Sequence, residues 1–407
     1  METSKYLIVG GGMVAGYAAK ELVERGLKSG ELTIVSADSA VPYERPPLSK
    51  GFLAGRDAEA NILINTPEWY RDRGINMSLN TIVATIDVKS RQVRTASGDN
   101  FGFQNLLLAT GCQPRKLAIP GNTLPGVLYL RSMCDAQNIR SRIAGARSAV
   151  VIGGGFIGME VASVVAQKNI ETTLIIREDR VCSRVFTPEV SSFFERYYSN
   201  RGVDLVKEVS ITALQGKDTV QSVLLSNGQT LACDLVVVGI GATPVTSPFE
   251  NAGIDIENGV VVNEFLETSQ PGVSAAGDIA NYPDSLFEKR RRVEHWDSAV
   301  SQAQHWARSM TGGRQPFVHI PYFFSDVFDL SYELWGDPVG GSQVVIRGDT
   351  DESSFSAWWV QESRLMAAFV MNRPDEERQL APEWIQSRKT VSAAMLADNS
   401  KPLQAAA

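Results

Sequence analysis

The sequence lacks several features that mark other classes of protein. No segment approaches the roughly 18 consecutive apolar residues of a membrane-spanning helix, and the N-terminus has no basic region followed by a long apolar stretch, as a signal peptide would. The cysteines are few and far apart, so neither a CxxC nor a CxxxxC dithiol nor a metal-site spacing is present: Cys112, Cys134, Cys182 and Cys233. We therefore predict a cytoplasmic protein without a membrane segment, a metal site or an internal redox dithiol.

An excess of positive charge is also missing. The chain has 39 basic and 46 acidic residues and a formal net charge of −7, whereas a nucleic-acid partner requires a strongly positive surface. Hydrophobic residues make up 43% of the sequence and charged residues 21%, as in ordinary globular proteins. The 407 residues leave room for two or three domains. We predict a multidomain protein that does not bind nucleic acid.

A repeated glycine pattern is the strongest positive signal. The segment VGGGMVAGYAAKEL begins at Val9 and IGGGFIGMEVASVV begins at Ile152, which is too long a separation for a solenoid repeat. Each copy predicts a buried strand, a tight turn, a helix and a second strand, the unit that binds dinucleotides. The predicted elements are strand 6–9, helix 16–24 and strand 32–35 in the first copy, and strand 150–152, helix 159–167 and strand 173–176 in the second.

The first copy predicts one dinucleotide site. Gly10, Gly12 and Ala15 form a GxGxxA turn, whose glycines allow a phosphate to approach the start of the helix. Asp38 follows the second strand at the distance expected of the acid that binds ribose hydroxyls.

The second copy predicts another site, with Gly153, Gly155 and Gly158 in the turn. Glu178 would accept a hydrogen bond from the ribose 2′-hydroxyl and so favours NADH. Arg177 and Arg180 would instead suit the 2′-phosphate of NADPH. NADH is the favoured interpretation, and NADPH stays open.

Further elements frame these two units. Predicted strands 106–111 and 235–241 end in small residues that let the backbone pass close to a cofactor, and Pro114 and Pro244 follow as hinge candidates. From about residue 317 the pattern predicts a small antiparallel sheet with strands at 322–324, 343–346, 355–360 and 366–371, followed by a helix near 382–390.

Several longer motifs resemble a known family. PYERPPLSK at 42–50, ATG at 109–111, AGD at 276–278 and VEHW at 293–296 are similar to motifs of the ferredoxin/rubredoxin reductase and monodehydroascorbate reductase group. The resemblance extends to about Gly336. It implies an α/β, glutathione-reductase-like fold with two Rossmann-like dinucleotide-binding domains and a small α+β C-terminal domain. The implied boundaries are 1–114 with 243–317 for the FAD domain, 115–242 for the NAD(P)H domain and 318–407 for the last domain.

The resemblance also assigns roles to residues. It implies that Arg45 and Lys50 contact the flavin nucleotide and ring and that Arg131 approaches the FAD. Asp278 would hold the ribitol, and Trp296 would lie by the isoalloxazine. The other predicted cofactor-binding residues are Ala109, Thr110, Gly111, Gly241, Glu294 and His295. A pair formed by Lys50 and Glu160 is implied at the place of hydride transfer. Judged without the resemblance, Lys50 would be a solvated turn residue and Glu160 an acid stabilised by the helix dipole.

The electron acceptor is the open point. A basic run, Lys289, Arg290, Arg291 and Arg292, directly precedes the VEHW motif and would suit an acidic [2Fe–2S] ferredoxin-type protein. We therefore expect an FAD-dependent reductase that passes electrons from NADH to such a protein, as a monomer or a homodimer.

Two alternatives remain. The ascorbate radical is the acceptor if the enzyme is a monodehydroascorbate reductase. A redox sensor similar to apoptosis-inducing factor is the third interpretation, although the roughly 90 residues of the last domain leave little room for the long insertion of that group.

Overall fold

The structure is a computed structural model that describes residues 3–407. It is an α/β protein with one mainly parallel sheet, one parallel sheet and a separate antiparallel sheet near the C-terminus. The chain divides into two compact units. The first unit contains the chain up to Arg45, Ala58–Gln113 and Thr243–Pro321, and the second unit contains Pro46–Asp57, Pro114–Ala242 and Tyr322–Ala407. The three domain boundaries implied by the sequence stay predictions.

The chain up to residue 114 contains the first glycine motif. Its elements are β1 (Thr3–Val9), α1 (Met13–Glu24), β2 (Leu32–Val35), α2 (Gly51–Ala54), α3 (Glu59–Ile62), α4 (Pro67–Asp72), β3 (Asn76–Ser78), β4 (Val83–Asp87), β5 (Gln92–Thr95), β6 (Asn100–Leu108) and β7 (Cys112–Pro114).

The next 130 residues contain the second glycine motif. Its elements are β8 (Val127–Tyr129), α5 (Met133–Ile143), β9 (Ser148–Ile152), α6 (Phe156–Ala166), β10 (Glu171–Ile176), α7 (Pro188–Ser199), β11 (Val203–Lys207), β12 (Ile211–Gln215), β13 (Ser222–Leu225), β14 (Thr230–Ala232), β15 (Leu235–Val238) and β16 (Ala242–Pro244).

The chain then completes the first unit and adds the C-terminal sheet to the second. The first unit gains β17 (Val260–Val261), β18 (Val273–Ala275), β19 (Ala280–Asp284), β20 (Lys289–Arg291) and α8 (Trp296–Met310), and the second unit gains β21 (Tyr322–Val327), β22 (Leu330–Gly336), β23 (Gln343–Asp349), β24 (Ser354–Gln361), β25 (Arg364–Met371), α9 (Asp375–Gln386) and α10 (Ala393–Ala397).

The main sheet of the first unit has the order β3-β2-β1-β6-β5-β4, with β18 also paired to β6. Strand β1 lies at its centre, and its last four residues are buried and apolar because helices or loops cover both faces of a parallel sheet. Strand β6 pairs with β5 near its beginning and with β18 over Leu106–Leu108. Helix α8 packs against α1 through buried residues such as Trp306.

The second unit repeats this architecture. Its parallel sheet has the order β11-β10-β9-β15-β8, and β15 consists of four buried residues, LVVV. A second sheet in the unit is antiparallel, with the order β21-β22-β25-β24-β23. The α/β fold class, with two Rossmann-like units and a C-terminal sheet, is therefore confirmed.

Some predicted boundaries differ from the structure. Both motif helices begin three residues earlier than predicted, at Met13 and Phe156, because the third glycine of each motif is itself the N-cap. The last predicted helix was placed too late: α9 begins at Asp375, where three acids favour the helix N-terminus, and Pro382 lies inside it. Strand β22 was not predicted. Within residues 3–407, every helix is too short or too polar to cross a membrane.

Candidate cofactor and redox sites

The first glycine turn has the geometry of a phosphate site. Gly10 has a φ of +118°, and a Cβ at this position would lie 2.2 Å from the carbonyl oxygen of Ala109. Gly12 caps α1 without a side-chain hydrogen bond, which leaves the helix N-terminus to an anion. A Cβ on Gly12 would lie 3.6 Å from Nη2 of Arg45, so this guanidinium faces the turn. These residues fit the pyrophosphate of FAD.

Asp38 lies beyond the end of β2 in the same unit. Its Oδ2 accepts a hydrogen bond from the Tyr43 hydroxyl at 2.7 Å, and its Oδ1 accepts one from the Ala40 amide at 3.2 Å. Each carboxylate oxygen keeps a second lone pair for a ribose hydroxyl. The carboxylate is thus held in place by two donors, and its ribose-binding role stays a prediction.

The second turn has the same construction. Gly153 has a φ of +113°, and a Cβ there would lie 2.3 Å from the carbonyl oxygen of Gly239. Gly155 caps α6 without a side-chain hydrogen bond, and a Cβ on it would meet nothing within 4 Å. Gly158 packs on the turn itself, since its Cβ would lie 1.9 Å from the Gly153 carbonyl oxygen. This open helix N-terminus fits a second dinucleotide.

The strand registers show that Asp38 and Glu178 occupy equivalent positions. Val9 pairs with Val35 in the first sheet, and Ile152 pairs with Ile175 in the second. Asp38 follows Val35 along the chain at the same distance at which Glu178 follows Ile175. The two carboxylates therefore have the same place relative to their glycine turns.

The charges after β10 are already paired with one another. Arg177 lies 3.2 Å from the Glu178 carboxylate, and Arg180 lies 2.8 Å from Asp179. Arg180 also donates to the Ser183 carbonyl at 3.1 Å. Both arginines that could bind a 2′-phosphate thus lie against acids.

Lys50 and Glu160 are brought together within the second unit. Lys50 Nζ lies 2.6 Å from Oε1 of Glu160, and the two side chains are only 12% and 3% exposed. The hydroxyls of Ser49 and Ser325 also donate to this carboxylate. A buried ion pair with additional donors is an arrangement that proteins often keep for function.

Side chains from α5 and from the loop after α6 donate hydrogen bonds to the segment that follows Lys50. Lys168 on the loop after α6 donates to the Ala54 carbonyl at 2.8 Å, and Arg140 on α5 donates to the Phe52 carbonyl at 3.4 Å. Nearby, burial and, to a smaller extent, the Glu160 carboxylate raise the pKa of the Cys182 thiol. Cys182 therefore stays protonated and is a packing residue rather than a nucleophile.

Arg292 connects two of the predicted flavin motifs in the first unit, AGD and VEHW. Its Nη1 lies 2.6 Å from Oε1 of Glu294, and it donates to the Asp278 carbonyl at 2.8 Å and to Cys112 Sγ at 3.1 Å. Thr110 donates to the Val245 carbonyl at 2.8 Å. The AGD and VEHW motifs thus meet in one cluster with Cys112, the residue that follows ATG.

Trp296 begins helix α8 and is held by a carboxylate. Its indole Nε1 donates to Glu44 Oε2 at 2.5 Å, and the Tyr17 hydroxyl donates to the other oxygen of Glu44. Burial raises the pKa of Tyr17, so its hydroxyl remains a donor. His295 caps α8 by accepting from the Asp297 amide at 3.4 Å.

Two members of the predicted basic cluster have acidic partners within the first unit. Arg291 lies 3.0 Å from the Asp284 carboxylate, and Arg292 pairs with Glu294 as described above. Arg290 is exposed but donates to the carbonyls of Val262 and Asn281. Because two of the four charges are matched by acids inside the unit, the run is not a uniformly basic surface.

The remaining predicted residues are divided between the units. Arg131, whose amide donates to the Asp135 side chain at 3.0 Å, and Gly241 belong to the second unit. Ala15, Ala109, Gly111 and Asp278 belong to the first. The sequence reasoning missed Ser49, Ser325, Glu44 and Tyr17. Of these four residues, Ser49 and Glu44 could have been found from the sequence, because both lie within the PYERPPLSK motif.

The cysteines give no alternative redox centre. All four are free thiols, and only Cys134 is exposed. Among residues 3–407, no group of three or more His, Cys, Asp or Glu side chains is arranged to hold a metal ion.

Comparisons with known proteins agree with this geometry. The family described as pyridine nucleotide-disulphide oxidoreductase matches residues 4–303, and the reductase C-terminal domain matches residues 322–407. Monodehydroascorbate reductase 5 of Oryza sativa subsp. japonica is 37% identical over 419 residues, covering 97% of this chain and 85% of its own. The monodehydroascorbate reductase of Solanum lycopersicum is 35% identical over 407 residues, covering 93% of each.

Solved structures show the same relation over the whole chain. The ferredoxin reductase for the CYP199A2 system from Rhodopseudomonas palustris matches with a TM-score of 0.94 and 34% identity, covering 100% of both chains. The reductase of the covalent putidaredoxin reductase–putidaredoxin complex matches with a TM-score of 0.94 and 32% identity, covering 98% of this chain and 97% of its own. The chain therefore belongs to the pyridine nucleotide-disulphide oxidoreductase family, as an FAD- and NAD(P)H-dependent reductase of the ferredoxin reductase and monodehydroascorbate reductase group.

Proposed function

We propose that this enzyme oxidises NADH and passes the electrons through FAD to a small [2Fe–2S] ferredoxin-type protein. The observation that carries the proposal is the structural similarity to the Rhodopseudomonas palustris ferredoxin reductase. The match has a TM-score of 0.94 and covers 100% of both chains. The free, separated cysteines support it, because electrons have no internal disulfide to enter.

The side chains have binding and orienting roles in this proposal. Bound FAD supplies the redox chemistry, accepting a hydride and releasing single electrons. The turn at Gly10–Gly12 and Arg45 bind its pyrophosphate, and Asp38 binds its ribose. In the second unit, the turn at Gly153–Gly158 binds the nicotinamide dinucleotide. The Lys50 ammonium, fixed by Glu160, orients the reacting groups.

NADH is the proposed electron donor. Glu178 stands where Asp38 stands in the first unit, so it is positioned for the two hydroxyls of an adenosine ribose. The 2′-phosphate of NADPH would meet this carboxylate, and Arg177 and Arg180 lie against acids. Stopped-flow reduction with each nucleotide tests the preference. An equal or higher kcat/KM with NADPH would contradict it.

Docking of the acceptor is proposed to involve Lys289 and Arg290, the two exposed members of the basic run. The variant Lys289→Glu should raise the KM for a ferredoxin several-fold at low salt, and the difference should shrink at high salt because exposed charges are screened. Lys89→Glu on the β4–β5 turn is the matched control. Equal effects of the two substitutions would show that only net charge matters.

Monodehydroascorbate reductase is the second candidate function. The similarity of 37% identity over 97% of this chain to the Oryza sativa enzyme favours it. The two functions differ only in the acceptor, so a single assay with purified enzyme and NADH separates them. The ferredoxin proposal expects kcat/KM for a [2Fe–2S] ferredoxin at least tenfold above that for the ascorbate radical. The reverse order would replace it with the second candidate.

We place the enzyme in the cytoplasm and expect a monomer or homodimer. Free thiols suit a reducing compartment. Fractionation of cells and light scattering of the purified enzyme test these two points, and a disulfide-linked or larger assembly would contradict them.

A further inference from the structure

The Glu160 carboxylate receives three donors in a buried site. Lys50 Nζ and Ser325 Oγ lie 2.6 and 2.5 Å from Oε1, and the Ser49 hydroxyl donates to Oε2. Glu160 is 3% exposed, and the two serines are 2% and 0% exposed. A buried carboxylate must find its donors in the protein. Lys50 alone would leave Oε2 without one.

The two hydroxyls come from distant parts of the second unit. Ser49 ends a short 3₁₀ turn, Pro46–Ser49, so that consecutive side chains, Ser49 and Lys50, bind opposite oxygens of one carboxylate. Ser325 lies on β21 of the C-terminal sheet, which packs against α6. The carboxylate is therefore held from both sides of its helix.

This arrangement restricts motions that an ion pair by itself permits. A carboxylate bound only to an ammonium group can rotate about its terminal bond, and the lysine side chain can follow it. Donors on both oxygens fix the carboxylate plane and, through it, the position of Lys50 Nζ. Small displacements at a reacting centre reduce rates strongly, because near-attack geometry is lost.

We propose that Ser49 and Ser325 are positioning residues for the Lys50–Glu160 pair, through which the C-terminal sheet takes part in hydride transfer. This inference rests on the proposed function, in which that pair orients the reacting groups. Neither serine is required to touch a cofactor.

The first experiment compares Ser325→Ala with Ser163→Ala. Ser163 lies on the same helix, is 1% exposed and accepts a hydrogen bond from the Phe328 amide at 2.6 Å in the same C-terminal hairpin. Stopped-flow reduction by NADH should give a limiting rate about tenfold lower for Ser325→Ala, with the Kd for NADH within twofold of wild type. Ser163→Ala should keep both values. Equal rate losses in the two variants would overturn the proposal.

A double-mutant cycle asks whether Ser325 acts through Glu160. Added to Glu160→Gln, the Ser325→Ala change should alter the limiting rate less than twofold, because the positioned carboxylate is already lost. A second tenfold loss would show an independent role and reject the proposal. Ser49→Ala replaces Ser325→Ala in the cycle if the latter does not fold.

A third measurement does not depend on turnover. Lys50 should react several-fold faster with an amine-directed acylating reagent in Ser325→Ala than in wild type, as followed by peptide mass spectrometry on the holoenzyme. Unchanged labelling in the serine variants would refute the positioning role. If wild type is not reduced by NADH, the proposed function fails instead, and the labelling still tests the geometry.

Discussion

Gly10 is a residue at which the backbone geometry leaves no space for a side chain. Its φ of +118° disfavours any side chain, and the Ala109 carbonyl occupies the space of a Cβ. We predict that Gly10→Ala lowers the free energy of unfolding by about 3 kcal/mol and releases FAD, because strain and a backbone clash combine.

Gly26→Ala is the control for this prediction. Gly26 has a φ of +88° but nothing within 4 Å of a Cβ. Gly26→Ala should therefore lower the free energy of unfolding by only about 1 kcal/mol, from strain alone. Chemical denaturation and flavin absorbance after gel filtration measure the two effects. Similar losses in both variants would show that the clash is unimportant.

Arg292 has a role that its place in a basic run does not suggest. Arg292→Met would remove the ion pair with Glu294 and the hydrogen bond that Arg292 donates to the Asp278 carbonyl. We predict about tenfold weaker FAD binding, measured by flavin fluorescence on dilution. Lys289→Met, three residues earlier and exposed, should leave FAD binding unchanged. A normal Kd for FAD in Arg292→Met would show that the cluster does not shape the flavin site.

Residues within a local motif could be predicted from the sequence pattern, whereas a contact across the chain could be predicted only where the family resemblance implied it, as for Lys50 and Glu160. Asp38 and Glu178 follow their glycine turns by a distance that strand and helix lengths determine. Ser325 contacts Glu160 only because β21 packs on α6, and nothing near either residue in the sequence indicates that contact. The pairing of Arg291 with Asp284 is likewise a product of the β19–β20 hairpin.

The start of strand β9 is held by the side chain of Asp234, which directly precedes strand β15. Asp234 Oδ2 accepts hydrogen bonds from the amides of Arg147 and Ser148, and these backbone donors lower its pKa. We predict that Asp234→Asn reduces the free energy of unfolding by about 1 kcal/mol at pH 7, a value discounted for its exposure.

The pH dependence of this effect has a defined sign. Since the folded-state pKa of Asp234 lies below its unfolded value of roughly 3.9, the stabilisation is complete above that value. It is lost as the pH falls through the folded pKa. Denaturation curves of Asp234→Asn and wild type should therefore converge in acid. A constant difference across pH would contradict the assignment.

Elements with strong apolar periodicity were predictable, and their ends were less so. The central strands of these two sheets, such as β1 and β9, contain short buried runs, whereas the motif helices begin earlier than predicted because glycine itself caps them. Strand β22 alternates buried and more exposed residues, but its charged and aromatic members interrupt the apolar signal. In α9, the acidic first turn was a better guide to the helix start than Pro382.

At the scale of the whole molecule, the absence of a dithiol sets the number of electrons that the enzyme holds. We predict that anaerobic titration with dithionite consumes two electron equivalents per bound FAD. Enzymes of this family that carry a redox disulfide need two more. A requirement for four equivalents would reveal a hidden disulfide. Because all four cysteines are free, prior alkylation of the exposed Cys134 should leave the titration unchanged.

The division of the chain into units was only partly predictable. Two glycine motifs indicate two dinucleotide-binding units from local patterns alone. The membership of Pro46–Asp57 in the second unit could not be inferred, because it depends on contacts such as that between Lys168 and Ala54, 114 residues apart.

The membership of Pro46–Asp57 in the second unit has a consequence for synthesis on the ribosome. Lys50 leaves the exit tunnel early, but Glu160 follows 110 residues later and Ser325 another 165 residues after that. Until α5 and α6 have been synthesised, the short helical turns of residues 46–54 lack the two helices against which they pack. A chain that is interrupted before α6 therefore displays this segment to proteases.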